Sequence, residues 1–183
     1  LINLIFDFML NLSSFIKNLK IEIFPITIIL ILAFSRLLPH APNFTPVIAT
    51  ALMSGFLLKN KNLSLIVVLM AMFISDLIIG FYSSYFFVYF SLILIILIFS
   101  SFVKKINFKN LLVLSIASSL LFFIVTNFGV WAMGNMYEKN FSGLVLCYIF
   151  AIPFFTNTLV STIFFSYSIF YLKKLNLRKF NLS

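Results

Sequence analysis

Long apolar runs separated by short polar breaks dominate the chain. The run 23–38, IFPITIILILAFSRLL, stops at Pro39-His40-Ala41-Pro42, where two prolines oppose helix continuation. The next, 46–58, follows Thr45, which is placed to cap it, and has Pro46 as its expected first helical residue. It is short for a span, which predicts that neighbouring helices bury part of it. Further runs lie at 63–82, 85–103, about 110–132 and about 143–172, the last with Pro153 inside it and a kink expected there. A helix needs roughly 20 mostly apolar residues to cross a bilayer. The pattern therefore predicts an all-α membrane protein, a six-transmembrane-helix bundle. Residues 1–20 mix Leu, Ile and Phe with Asp7, Asn11, Lys17 and Lys20, and read as an interfacial amphipathic segment. The expected organisation is that segment, one transmembrane domain over 21–175, and a basic cytoplasmic tail over 176–183.

Composition agrees with this pattern. Of 183 residues, 63% are hydrophobic and only 9% charged, whereas a soluble domain is about a quarter charged. The net charge is +9, and it is distributed by loop. Lys17 and Lys20 precede the first span, Lys59 and Lys61 separate the second from the third, Lys104, Lys105 and Lys109 separate the fourth from the fifth, and Lys173, Lys174, Arg178 and Lys179 follow the sixth. Only Arg36 and Lys139 fall on the other side. The excess of basic residues on cytoplasmic loops then predicts a multi-pass protein of the cytoplasmic membrane with both termini in the cytoplasm. Membrane lipid is the expected partner of these basic loops, and nucleic acid is not, because they are short and lie between apolar runs.

In such a chain the polar residues inside spans carry the information, since burying a charge in hydrocarbon costs at least a few kcal/mol. Asp76 is the one acid inside a span. It lies six residues before Tyr82, so about 9 Å below the outer end at about 1.5 Å per residue. Arg36 sits near the outer end of the first span, and an Arg36–Asp76 pair is expected, as structural glue or as the organiser of a pocket. Asn127 and Trp131 are four apart and share a face of the fifth span. Tyr137 follows in the outer loop, Tyr148 lies near the outer end of the sixth span, and Asn157 lies deeper. The outer loop adds His40 and Asn43. These ten residues form the expected substrate-binding set. Each has a plainer reading as well: Tyr82, Trp131 and Tyr137 suit an interfacial aromatic belt, Asn127 and Asn157 suit interhelical hydrogen bonding, and His40 suits a solvated loop. Ala51 and Gly55, four apart, fit a close helix contact.

The chemistry of an enzyme is not visible. No GxxxxGK, HExxH or GxSxG motif occurs. One His and one Cys cannot build a His/Cys metal cluster, and neither cofactor nor metal is expected. The sequence leaves open a solute-binding membrane component and a non-transporting structural or assembly protein, with a membrane enzyme a distant third.

Two stretches resemble a known pattern. Arg36-Leu37-Leu38-Pro39-His40-Ala41-Pro42-Asn43-Phe44-Thr45-Pro46-Val47 resembles the signature R-x-x-P-H-x-P-N-F-S/T-P-V/I of an uncharacterised family of small bacterial membrane proteins. Ser75-Asp76-Leu77 with Gly80-Phe81-Tyr82, and Trp131, Met136-Tyr137, Cys147-Tyr148 and Ala151 to Leu159, look like its later blocks. That family is similar to the substrate-binding S components of energy-coupling-factor vitamin transporters. The resemblance implies a six-helix protein that binds a vitamin-like micronutrient from outside and works with a coupling ATPase and its transmembrane module. One departure is plain: Ser161-Thr162 stand where the family usually has Gly-Asp, so a second intramembrane acid is missing.

Overall fold

The computed structural model describes residues 23–180 apart from 24, 59, 104 and 105. The expected amphipathic segment at 1–20 lies outside the described residues. Six helices and no strand occur among them: α1, Pro25–Leu37, whose last turn Ser35–Leu37 tightens to 3₁₀; α2, Val47–Leu58; α3, Lys61–Ile79; α4, Tyr85–Val103; α5, Phe108–Met133; and α6, Phe141–Phe180. Three of these, α3, α5 and α6, are long and apolar enough to cross a membrane. The apolar stretches Pro25–Leu37, Val47–Leu58 and Tyr85–Phe99 are shorter.

Local chemistry sets most boundaries. Asn60 caps α3 by accepting from the backbone N–H groups of Asn62 and Leu63, at 3.0 and 3.2 Å. Asn107 caps α5 through the N–H of Asn110 at 2.8 Å. The third helix ends before the expected residue 82, because Gly80 takes φ 99°, a conformation closed to most side chains. Pro46 stands one place ahead of its expectation: its carbonyl accepts the first bond of α2, from Thr50 N at 2.8 Å, and the helix begins at Val47. Pro153 lies inside α6, which remains one helix through it and continues past the expected end at 172. Proline supplies no N–H, so the carbonyl one turn before it loses its helical partner.

The short second helix is the centre of the bundle. Eleven of its 12 residues are buried, all but Phe56, by α4 and α6 above all, then α3 and α5. A helix buried on every side has no reason to be amphipathic, which explains why α2 shows no polar face, its Thr50 and Ser54 being buried with the rest. Ala51 and Gly55 are both within this buried set.

Helices α3, α5 and α6 bury many small and polar residues and expose many large apolar ones, whereas α1 and α4 bury Ile29, Leu92, Ile95 and Ile96 in the core. The buried positions of α3 are Ser64, Val68, Ala71, Met72, Ser75 and Asp76, a stripe at helical spacing that is small and polar. Its exposed positions include Ile66, Met70, Phe73, Leu77 and Ile78. Helix α5 repeats the rule, burying Leu111, Ser115, Ser118, Ser119 and Gly129. In α6, Thr158, Ser161, Thr162 and Ser166 are buried while Phe150, Ile152 and Phe164 are exposed. Small and hydroxyl-bearing residues let helix backbones approach within a lipid environment, where apolar side chains gain nothing by facing inward. Many of these hydroxyls bond to their own helix, as Thr162 does to the Thr158 carbonyl at 2.7 Å. The outward apolar faces are consistent with helices α3, α5 and α6 being able to cross a membrane.

The chain runs up and down the bundle, so alternate loops share an end. Lys61 and Lys109 begin α3 and α5, and Lys173 and Lys174 lie near the end of α6, all at one end. There the Lys173 ammonium reaches the Phe56 carbonyl and lies 4.0 Å from the centroid of the Phe56 ring. The opposite end carries the α1–α2, α3–α4 and α5–α6 loops.

Candidate functional site

The site begins where α1 ends. Its closing 3₁₀ turn points Arg36 toward α3 and stops at Leu38, whose extended conformation leads into Pro39. The guanidinium Nη1 lies 2.7 Å from Asp76 Oδ1. It also donates to Ser75 Oγ at 3.0 Å and approaches Met72 Sδ at 3.3 Å. The other carboxylate oxygen, Oδ2, accepts from the Tyr89 hydroxyl of α4 at 2.7 Å. Asp76 is fully buried, so its charge is held by one cation and one phenol and has no access to solvent. The ion pair at Oδ1 and the phenol at Oδ2 offset the cost of burying this charge, although Oδ1 has no hydrogen-bond partner among the described residues.

The loop after α1 folds over the same end. Asn43 adopts φ 60°, the left-handed region that Asn tolerates better than most residues, and Phe44 N closes the turn on the Ala41 carbonyl at 2.9 Å. Asn157 of α6 donates from Nδ2 to the Pro42 carbonyl at 3.0 Å, which ties the loop to the bundle. The His40 ring Nδ1 is 2.6 Å from the Leu38 carbonyl. A carbonyl only accepts, so this nitrogen carries the proton and Nε2 is left as an acceptor in the neutral ring.

Beneath the loop lies a cavity of about 450 Å³. Its polar edge includes Arg36, His40, Asn43, Tyr82 and Asn127, and its apolar wall includes Val88, Phe122, Phe123, Phe154 and Phe155. Five of the ten expected residues therefore line one cavity. Asp76 stands behind it as the partner of Arg36. Asn127 donates from Nδ2 to the Phe123 carbonyl at 2.8 Å, which leaves its Oδ1 unspent. Tyr82 lies just past the end of α3; desolvation and then the negative charge of Asp76 push its phenol up to about 12, so it is a protonated donor at physiological pH.

The remaining four expected residues do not line the cavity. Trp131 Nε1 donates to the Glu138 carbonyl at 2.9 Å, and Lys139 donates to the Trp131 and Gly134 carbonyls at the end of α5, a cation at a helix C-terminus. Tyr148 donates to the Ile124 carbonyl at 2.7 Å, joining α6 to α5. Asn157 holds the loop. Tyr137 is half-buried in the α5–α6 loop. Their positions are those of fasteners around the site. Sequence reasoning missed Tyr89, Thr126 and Thr158. Thr126 and Thr158 line the cavity with Tyr82 and Asn127, and Thr126 is one residue from Asn127, so the inward hydroxyl stripe of α5 and α6 was the signal that pointed to them. Tyr89 had no such signal, since one phenol among the aromatic residues of α4 looks like any other.

Among the described residues no three His, Cys, Asp or Glu side chains gather to hold a metal ion. Cys147 is buried, its Sγ 3.4 Å from the Asn127 carbonyl.

The model of a family of unknown function matches residues 17–182, nearly the whole chain. The chain belongs to the DUF6580 family. No curated protein and no solved structure matches it. For this DUF6580 member, function rests on the site itself.

Proposed function

We propose that the protein is the solute-binding component of a micronutrient uptake system in the cytoplasmic membrane. The observation that carries this reading is the cavity of about 450 Å³, with a cationic and amide edge and an aromatic wall. Its volume lies within the range of small-molecule sites, roughly 300–1,000 Å³. The reading includes six spans with both termini in the cytoplasm, because Lys61, Lys109, Lys173 and Lys174 lie at the end away from the cavity. The mouth then faces outward. The Arg36–Val47 stretch resembles the signature of an uncharacterised membrane-protein family, and the similarity of that family to S components fits the same role. With no GxxxxGK motif in the sequence, active uptake would draw its energy from an ion gradient or from a coupling ATPase with its transmembrane module as partner.

The alternative is a structural or assembly protein, favoured by the complete burial of Asp76, which suits a fastener. Native mass spectrometry of protein purified in mild detergent separates the two. The uptake reading expects a stoichiometric small-molecule adduct that Asn127→Leu removes while the yield of folded protein is kept. A bare mass for the wild type under every extraction condition favours the structural role.

A further inference from the structure

Resting on the solute-binding reading, we infer that the solute is electrically neutral, with a planar ring whose edge carries an acceptor beside an N–H donor, as in a lactam or cyclic amide. The charge balance comes first. Arg36 is the only Lys, Arg, Asp or Glu among the cavity-lining residues, and its charge is already matched by Asp76 at 2.7 Å. Asp76 is fully buried and does not line the cavity. An anionic solute would compete with Asp76 for one guanidinium, leaving two negative charges on one cation. A cationic solute would meet a cation at the wall, with the carboxylate sealed behind it. Either arrangement buries an unmatched charge, which costs several kcal/mol.

The hydrogen-bonding groups then set the edge. Arg36 commits Nη1 to Asp76, Ser75 and Met72, and no group among the described residues accepts from its Nη2 or Nε, so these N–H groups can meet a solute carbonyl. On the α5 and α6 side the unspent groups are acceptors. Asn127 uses its Nδ2 on the Phe123 carbonyl and keeps Oδ1. Thr126 and Thr158 use their protons on the Phe122 and Phe154 carbonyls and keep their lone pairs. A bound molecule must therefore offer both an acceptor and an N–H or O–H. The wall supplies the shape: Phe123 and Phe155 are tilted at 47° with centroids 4.8 Å apart, a surface that flat rings match by offset or edge contact.

The test uses the full chain in lipid nanodiscs and three ring-matched probes in equilibrium dialysis: 2-quinolone, which is neutral with N–H beside C=O; quinoline-2-carboxylate, an anion; and 2-(aminomethyl)quinoline, a cation at neutral pH. The wild type is expected to bind 2-quinolone at least about tenfold more tightly than either charged probe. Asp76→Asn releases the guanidinium from its partner and should move the preference toward the carboxylate by about tenfold. Trp131→Phe, which lies outside the cavity and leaves the Arg36–Asp76 pair intact, should keep the wild-type order. A wild-type preference for either charged probe overturns the inference and leaves the solute-binding reading standing. If no probe binds, the co-purifying solute decides: a neutral cyclic amide supports the inference and a charged solute overturns it. No probe bound and no solute co-purified overturns the solute-binding reading itself. If Asp76→Asn does not fold, the wild-type order alone decides.

Discussion

Arg36 Nη1 and Asp76 Oδ1 lie 2.7 Å apart and join the last turn of α1 to the last turn of α3, while Tyr89 brings α4 to the same carboxylate. Three helices thus meet on one buried charge at the rim of the cavity. The arrangement fixes the position of the one lining guanidinium and neutralises it at the same time.

Removing one member of the pair should be worse than removing both. Asp76→Ala leaves the guanidinium unmatched, and Arg36→Met leaves a fully buried carboxylate. Each should cost about 3–5 kcal/mol, while Arg36→Met with Asp76→Leu should cost clearly less than the sum. Thermal unfolding in one detergent across the four proteins measures this. Strict additivity would mean that the two charges are not coupled.

The α4–α5 contact depends on an absent side chain. A Cβ at Gly129 would fall on the Phe87 ring. Gly129→Ala is expected to lower stability by about 1–3 kcal/mol through overpacking, and Phe87→Leu in the same chain to recover part of it. Equal melting temperatures for wild type and Gly129→Ala would contradict the packing.

Trp131 and Asn127 share a face of α5 and should still separate in experiment. Asn127 lines the cavity, whereas Trp131 is bonded to the α5–α6 loop. Trp131→Phe should lose about 1 kcal/mol of stability and leave solute binding unchanged. Asn127→Leu should weaken binding with little effect on the melting temperature. The opposite division of effects would return Trp131 to the site.

Asn157 tests the loop. Its bond to the Pro42 carbonyl is worth about 1 kcal/mol, so Asn157→Ala should raise hydrogen exchange in the 38–44 peptide by about fivefold. Unchanged exchange there would show that the loop is held by Phe44 packing on Phe165 without it.

Orientation can be read by thiol labelling in a Cys147→Ser background. Cysteines at Ala41 and Asn140, on the cavity end, should react with an impermeant reagent in intact cells, and cysteines at Asn60 and Asn107 should be protected. Reversed reactivity would turn the bundle over and place the cavity mouth in the cytoplasm.

The helices and their order were legible in the pattern of apolar runs. Apolar runs broken by Pro39, Asn60 and Asn107 mark helix ends because proline and side-chain capping act locally, and the fourth run, 85–103, coincides with α4. The sequence also singled out Asp76 and Arg36, since a charge in an apolar run is expensive wherever it lies and needs an opposite charge. Tertiary structure alone decided which polar residues share a cavity. Asn127 and Trp131 look equivalent in sequence, yet a loop carbonyl captures Trp131, and no local rule foretells that. Tyr89 reaches Asp76 only because α3 and α4 pack at one particular rotation. The inward stripe of Ser and Thr lies between these cases: its spacing is in the sequence, but its direction follows from packing in which small and hydroxyl-bearing residues let neighbouring helix backbones approach.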